Sequence, residues 1–251
     1  MSALFIYSAN LYAGDVLTIR SDRWFPMNGL PDAEKPGYMI EMAQTIMAHH
    51  GYQVDYQLSP WKRSLQEVRA GKHDCVVGAY QSEARDLLFP KEEWGMDRVD
   101  FYVKAGNNWR YKGFESLNEI KLGLIGGYIY NDDFNNYVKS RAPSDKLQWI
   151  NEDNSLELNI RKILRGRISA TLESVNVMQA KLQQLGLSDK IVPAGTLKAG
   201  EPMYIACSPA KPSTQKFIRW LTDGTRRIRD NGQLKQILVK YGLSDWKSTV
   251  Q

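Results

Sequence analysis

The sequence has few residues suited to metal binding, containing only two cysteines and three histidines in 251 residues. The cysteines are not in a CxxC pair and the histidines lack ligand spacing, so we expect no metal site. Long apolar runs are also missing. A bilayer-spanning helix needs roughly 20 consecutive apolar residues, and no segment approaches that length. We therefore expect no transmembrane helix.

The distribution of charged residues argues against nucleic-acid binding. Basic residues outnumber acidic ones by 33 to 28, but they are scattered along the chain. A nucleic-acid surface would concentrate them on one face, so we expect no nucleic-acid partner. The turn containing Gly126 and Gly127 precedes a predicted helix, but it matches neither GxGxxG nor GK[ST]. We therefore predict no nucleotide and no other cofactor.

The two cysteines, Cys75 and Cys207, each lie in an apolar, strand-like segment far from the other. We favour the interpretation that both are buried free thiols. An oxidising compartment would permit a disulfide, and that alternative stays open here because sequence separation does not report the distance between Cα atoms.

The beginning of the chain resembles part of an export signal. Residues 3–9 are apolar, and residues 11–14, L-Y-A-G, look like a small-residue cleavage site, although a positively charged start is missing. We interpret residues 1–14 as a signal-peptide remnant, which favours a periplasmic location. The alternative is a genuine first strand.

Strand-like and helix-like patterns alternate along the chain, in an ordinary globular composition with 43% hydrophobic residues. The first third reads as βαβαβ, which predicts parallel strands with right-handed crossovers. A second series begins with a short predicted strand at 101–104. Within that series, Asn154 and Glu157 predict a capping box for a helix over residues 155–165. A strand at 202–207 and two amphipathic helices follow. The length suits one large domain or two smaller lobes.

A helix–glycine–strand unit occurs once in each half, at residues 68–75 and 163–170. The first strand leads to a polar loop with Ser82 and Arg85, and the second ends at Glu173. Ligands of open α/β sheets bind at the carboxyl ends of strands, where an arginine can clamp a carboxylate. The alternative for Arg85 is a surface ion pair with Glu83 or Asp86.

These units belong to an ordered set of motifs that resembles family 3 of the bacterial extracellular solute-binding proteins, which includes the polar amino acid receptors of ABC transporters. The resemblance covers about residues 17–243. Its motifs are W-F-P at 24–26, W-K-R at 61–63, G-K-H-D at 71–74, S-E-A-R at 82–85, L-G-L-I-G-G at 122–127, L-R-G-R at 164–167 and D-N-G-Q-L-K-Q-I-L-V-K-Y-G at 230–242.

The resemblance implies an α/β fold of the type II periplasmic binding protein class. Each of two lobes would hold a mixed, mainly parallel sheet flanked by helices, and two hinge strands would join them. The first lobe would comprise residues 15–102 plus 205–251, and the second residues 103–204. It also implies a monomer with a small-molecule ligand and an ABC permease as its partner.

The resemblance further assigns ligand-binding roles. Arg85 would hold the α-carboxylate of an amino acid with help from Ser82, and Glu173 would accept the α-ammonium. Trp24 would stack on the ligand. The other residues implied or expected at the site are Trp61, Gly78, Tyr80, Gly127, Tyr128 and Tyr130. For Trp61, a purely structural role as a core anchor is the alternative.

The sequence therefore predicts a non-catalytic receptor that closes its lobes on a small polar solute, an amino acid or a related carboxylate. Two alternatives remain. One is an enzyme similar to the cyclohexadienyl dehydratases of the same family, with Glu173 as a general acid. The other is an orphan or sensory module that binds solute without a dedicated permease.

Overall fold

The computed structural model describes residues 15–126, 130–141, 144–152 and 154–247. Within them the strands are β1 Val16–Ser21, β2 Gln53–Leu58, β3 Cys75–Ala79, β4 Gly95–Lys104, β5 Leu122–Ile125, β6 Leu147–Ile150, β7 Ala170–Ser174 and β8 Ile191–Cys207. The α-helices are α1 Tyr38–Ala48, α2 Trp61–Arg69, α3 Asp132–Ser140, α4 Ser155–Leu164, α5 Val175–Leu185, α6 Thr214–Asp230 and α7 Gln233–Lys240, and a 3₁₀ helix spans Phe114–Glu119. The predicted export remnant, residues 1–14, lies outside the described residues.

The strands form one sheet in the order β2-β1-β3-β8-β4-β7-β5-β6. In what we call the front half, β1 is parallel to β2 and β3, and β3 is antiparallel to the end of β8. In the rear half, β5 is parallel to β6 and β7, and β7 is antiparallel to β4. The long strands β4 and β8 pair with each other and join the halves. This confirms the predicted mixed, mainly parallel architecture.

Helices cover both faces of each half, which explains the continuous apolar runs. On β3, Cys75 and Val77 enter the core beneath α1, α6 and α7, whereas Val76 enters a smaller core beneath α2. On β4, Phe101 and Tyr102 likewise enter two different cores of the rear half. A strand buried on both faces needs apolar side chains at successive positions.

Strands β4 and β8 are longer than the sequence pattern predicts. The prediction for β4 began at residue 101, but the strand begins at Gly95 and includes the buried carboxylates Asp97 and Asp100. Strand β8 begins at Ile191, well before the predicted residue 202, and contains Pro193. The polar residues and the proline do not fit an apolar strand pattern, so the sequence did not predict these segments. They are strands because β4 and β8 pair with each other, with several register shifts.

The interpretation of Cys75 and Cys207 as free thiols is wrong, because the two residues form a disulfide. They are directly opposite each other on the antiparallel strands β3 and β8, with their Cα atoms 4.0 Å apart. Their separation of 132 residues along the chain concealed this proximity. The bond ties a strand shared by both halves to the front half.

The predicted capping box is also wrong. Asn154 precedes α4 but its side chain makes no capping hydrogen bond, and Glu157 pairs instead with Arg161 at 2.7 Å. The backbone N–H of Glu152 donates a hydrogen bond to Ser155 Oγ at 3.0 Å. By contrast, Asn131 caps α3 by accepting the Phe134 backbone N–H at 2.8 Å.

In the described part of the chain, no helix combines the length and apolar character needed to cross a bilayer.

Candidate functional site

The candidate site begins at the carboxyl end of β3, where Gly78 allows an aromatic ring to approach the backbone. Gly78 has a φ of 80°, in the left-handed region that favours glycine. A Cβ atom there would lie 3.2 Å from Cε3 of Trp24. Glycine is thus required both for the backbone conformation and for the position of the Trp24 ring.

The loop after β1 holds Trp24 in place. Trp24 and Asn28 exchange two backbone hydrogen bonds of 2.9 and 3.0 Å, and the peptide between Phe25 and Pro26 is cis. The buried Asn28 side chain donates from Nδ2 to the Tyr56 hydroxyl at 3.1 Å and to the Asp22 carbonyl. A compact, internally bonded loop therefore presents Trp24 at the strand end.

A cavity of about 250 Å³ lies against this strand end. It is lined by Asp22, Trp24, Trp61, Val77, Gly78, Tyr80 and Glu83. The Trp24 and Tyr80 rings meet edge to face with centroids 6.4 Å apart, and Trp61 Nε1 donates to Glu83 Oε1 at 2.7 Å. Drug-sized ligands occupy roughly 300–1,000 Å³, so this cavity suits one small chemical group.

Two carboxylates, Asp22 and Glu83, border the aromatic cavity. Neither forms an ion pair with any residue in the described part of the chain. Desolvation raises the pKa of Asp22 although the residue remains partly open to solvent, and the charge of Glu83 raises it further against the lowering effect of a backbone hydrogen bond. The cavity lining therefore carries two acidic side chains and, among the described residues, no basic one.

Ser82 and Arg85 follow on the same loop but do not line the cavity. Ser82 Oγ donates to Glu201 Oε1 at 2.6 Å, and Glu201 Oε2 pairs with Lys198 Nζ at 2.9 Å. Arg85 is exposed and makes no hydrogen bond or ion pair with the described residues. The alternative ion pair with Glu83 or Asp86 is thus absent, since Asp86 is bonded by Arg69.

Glu173, in the rear half, is buried at the end of β7 directly opposite Asp100 of β4. Its Oε1 accepts the Ser174 backbone N–H at 2.8 Å, and its Oε2 has no hydrogen-bond partner among the described residues. Burial raises the pKa of Glu173 to about 8, opposed by the Ser174 N–H and reinforced by the charge of Asp97. At neutral pH this carboxyl therefore keeps its proton.

Asp97 of β4 connects this buried region with the cavity. Its Oδ2 accepts a hydrogen bond from the Tyr80 hydroxyl at 2.9 Å, and its Oδ1 has no partner among the described residues. Because the Tyr80 ring lines the cavity, one side chain contacts both the candidate site and a strand shared by the two halves.

The structure thus brings together four of the predicted residues, Trp24, Trp61, Gly78 and Tyr80, around one cavity. Tyr130 packs against Phe134 in the rear core, with ring centroids 5.4 Å apart. Gly127 and Tyr128 lie outside the described residues. Sequence reasoning did not select Asp22, Glu83 and Asp97. Asp22 follows β1 directly and Glu83 lies in the loop after β3, so the strand-end rule could have found them, whereas Asp97 lies in the part of β4 that was not predicted.

A second cavity, of about 560 Å³, lies between the loop after β1 and helices α5 and α7. Its lining includes four basic residues, Arg23, Lys35, Lys181 and Lys240, and none of the predicted site residues. The aromatic cavity remains the candidate site because it lies at the carboxyl ends of parallel strands, where open α/β sheets bind ligands.

Comparison with known proteins assigns the chain to a family. The family model described as bacterial extracellular solute-binding proteins, family 3, matches residues 17–244. Comparison of the sequence with curated proteins finds no match.

Solved structures share the fold at low sequence identity. A polar amino acid ABC uptake transporter substrate-binding protein from Streptococcus thermophilus is 17% identical with a TM-score of 0.71, covering 90% of this chain and 85% of that one. Substrate-binding domain 2 of Lactococcus lactis GlnP, in an open conformation, is 18% identical with a TM-score of 0.67, covering 90% and 95%. A histidine kinase sensor domain similar to periplasmic binding proteins is 17% identical with a TM-score of 0.58, covering 90% and 95%.

Proposed function

Because the chain belongs to family 3 of the bacterial extracellular solute-binding proteins, we propose that it is a non-catalytic receptor that captures a small polar solute for uptake by an ABC transporter. The solute is an amino acid or a related carboxylate. The observation that carries the proposal is the aromatic cavity at the carboxyl end of β3, next to a loop on which the Arg85 guanidinium has no partner among the described residues.

The proposed lobes are residues 15–102 with 205–251, and residues 103–204, and they close on the solute. Support comes from the sheet, in which β4 and β8 pair across the junction between two separate sets of hydrophobic cores. A ligand that contacts both lobes only when they are shut shifts the protein towards the closed state.

Arg85 is the proposed carboxylate clamp. Its guanidinium is exposed and has no partner in the part of the chain that the structure describes, so it can form two parallel hydrogen bonds to a carboxylate with little loss of protein contacts. We propose that Trp24, Trp61, Gly78 and Tyr80 form the front wall, with Ser82 beside it. Gly127, Tyr128, Tyr130 and Glu173 complete the predicted set from the second lobe. We propose that an ammonium reaching Glu173 Oε2, which has no hydrogen-bond partner among the described residues, favours the ionised form of this carboxyl.

Titration calorimetry with a panel of the standard amino acids and small carboxylates tests the receptor. We expect at least one to bind, and Arg85→Ala to weaken its binding at least about tenfold, the effect of losing a charge-assisted pair. Arg63→Ala is the matched control, since Arg63 is exposed and pairs with Glu67 on α2. Binding by no member of the panel would refute the receptor, and binding unaffected by Arg85→Ala for every ligand would remove the clamp.

Export to an oxidising compartment is part of the proposal. The Cys75–Cys207 disulfide supports it, because such bonds persist in the periplasm and are rare in the cytosol. Fractionation of cells producing the full-length protein tests the location, and recovery only in the cytosol would contradict it. We propose that the receptor acts as a monomer and delivers solute to an ABC permease.

The elevated pKa of Glu173 bears on the dehydratase alternative, because a general acid must retain its proton at neutral pH. However, the Glu173 oxygen without a partner is buried, and Glu173 does not line the aromatic cavity. We therefore expect purified protein not to turn over arogenate or prephenate. Measurable turnover that is lost in Glu173→Gln would establish the enzyme instead.

A further inference from the structure

We propose that the cavity between Trp24, Trp61 and Tyr80 binds a positively charged group of the solute, an ammonium or a guanidinium, and that Asp22 and Glu83 supply the opposite charge. The inference rests on the receptor function proposed above and narrows its ligand class. The solute then carries a cationic side group in addition to the carboxylate expected at Arg85.

The rings supply the first part of the argument. Two indoles and a phenol line the cavity, and the faces of aromatic rings attract cations within about 6 Å of the ring centre, with indole the strongest. Rings alone would serve an apolar group equally well. The charges at the cavity must therefore distinguish the two.

The carboxylates supply that distinction. The other carboxylates on this loop or bonded to it have basic partners: Asp86 is paired with Arg69, and Glu201, which accepts from Ser82, is paired with Lys198. Asp22 and Glu83 have none in the described part of the chain. The charge of Glu83 disfavours the ionised form of Asp22, and a cation bound beside the two carboxylates would offset this repulsion.

The nearest basic residues do not fill this role. Arg23 follows Asp22 in the chain but lines the second cavity, between the loop after β1, α5 and α7. Lys198 Nζ lies 4.9 Å from the centre of the Tyr80 ring, and Glu201 already pairs with it. Arg85 is exposed and does not line the cavity. An anionic group placed in the cavity would face two carboxylates with no compensating cation.

The test uses pairs of ligands that match in shape but differ in charge, measured by titration calorimetry on the full chain. L-Arginine is compared with L-citrulline, in which a neutral ureido group replaces the guanidinium, and L-lysine with L-norleucine. We expect at least one cationic member to bind about tenfold or more tightly than its neutral partner, as for a charge-assisted contact.

Two conservative variants locate the effect. Glu83→Gln removes the charge but keeps an oxygen that can accept the Trp61 Nε1–H bond, and Asp22→Asn removes the charge of the second carboxylate that lines the cavity. Each should weaken binding of the cation roughly three- to tenfold, and should change the affinity for its neutral partner by a smaller factor. Asp86→Asn removes the same charge from the same loop outside the cavity, and should change neither affinity.

The outcomes separate this inference from the receptor function. If neutral ligands bind as tightly as cationic ones, or if Asp22→Asn and Glu83→Gln leave cation binding unchanged while remaining folded by thermal unfolding, the inference is overturned and the receptor stands. If nothing in the amino acid and carboxylate panel binds, both fail. Agmatine, which lacks the carboxylate of arginine, separates the two contacts: binding as tight as that of arginine supports the cation site and removes the Arg85 clamp.

Discussion

Strands β3 and β7 have equivalent surroundings but end in opposite environments. Each follows a helix and a left-handed glycine, Gly71 with φ 73° and Gly166 with φ 66°, and each has a parallel neighbour on one side and an antiparallel one on the other. Strand β3 leads into an open loop beside a cavity, whereas β7 runs directly into α5 and buries Glu173. The segment after a strand, more than the strand itself, decides the chemistry of its end.

The largest expected effect comes from removing the disulfide, which joins β3 and β8 in the front half. Replacing both Cys75 and Cys207 with serine should lower the free energy of unfolding by about 5 kcal/mol, as expected for closing a loop of 132 residues. Urea unfolding measures this loss. In hydrogen-exchange experiments on the variant, the amides of β1 and β3 should lose protection before those of β5 and β7. A reducing agent should destabilise the original protein and leave the variant unchanged. Equal stability of the two proteins would contradict the prediction.

The buried end of β7 should make stability depend on pH. In the unfolded chain Glu173 releases its proton near pH 4.5, whereas in the folded protein its raised pKa is about 8. Below pH 4.5 the carboxyl is protonated in both states and folding is not penalised. As pH rises from 4.5 to 8, the unfolded chain ionises first and stability falls, by a total on the order of 4 kcal/mol.

Glu173→Gln should remove that dependence, because an amide does not titrate. The difference in unfolding free energy between variant and original protein should increase from pH 5 to pH 8.5 in favour of the variant, measured by urea titration at each pH. Glu157→Gln is the control, since Glu157 is only partly buried and pairs with Arg161 on the surface of α4. A pH profile that is the same with and without Glu173 would sink this prediction.

A smaller effect is expected from replacing a glycine near each of the two strands, Gly78 in β3 and Gly166 before β7. Gly166→Ala should cost about 1–2 kcal/mol because of its left-handed backbone alone, since among the described residues no atom beyond the two chain neighbours lies within 4 Å of the added methyl. Gly78→Ala should cost that amount and also displace Trp24, 3.2 Å from the new Cβ atom. Thermal unfolding should therefore show loss of stability in both variants, and calorimetry loss of solute binding in Gly78→Ala alone. Equal solute affinity in the two would argue against a role for Trp24.

The smallest effect concerns two asparagines that precede helices of the rear half. Asn131→Ala removes a hydrogen bond to the Phe134 N–H and should cost about 1 kcal/mol. Asn154→Ala removes no capping bond and should stay within about 0.5 kcal/mol of the original protein. Urea unfolding of both variants tests the difference, and a larger loss at Asn154 would restore the capping box.

Local signals made most of the fold predictable. The end of α2, Gly71 and the start of β3 follow one another within a few residues, so glycine and an apolar run sufficed to identify them. The first half of β4 and the disulfide were missed for physical reasons. Asp97 and Asp100 are polar residues in a buried strand, and Cys75 meets Cys207 only through tertiary pairing.

The candidate site divides in the same way. Trp24 and Tyr80 follow strand ends in sequence, and the structure places both at the cavity. The burial of Glu173 depends on how β7, β4 and α5 pack, which no neighbouring residue in the sequence reveals. The charge of the cavity depends on which carboxylates find partners, as Glu201 does with Ser82 and Lys198.

The phenol of Tyr80 belongs to the wall of the cavity, and its oxygen is held by Asp97 on a strand that crosses between the halves. A solute that pushes this ring aside must either break that one bond or carry the crossing strand with it. In the receptor proposed above, we expect this hydrogen bond to couple a bound solute directly to β4, the strand that joins the two halves. Tyr80→Phe would keep the ring at the cavity and remove its hydrogen bond to Asp97.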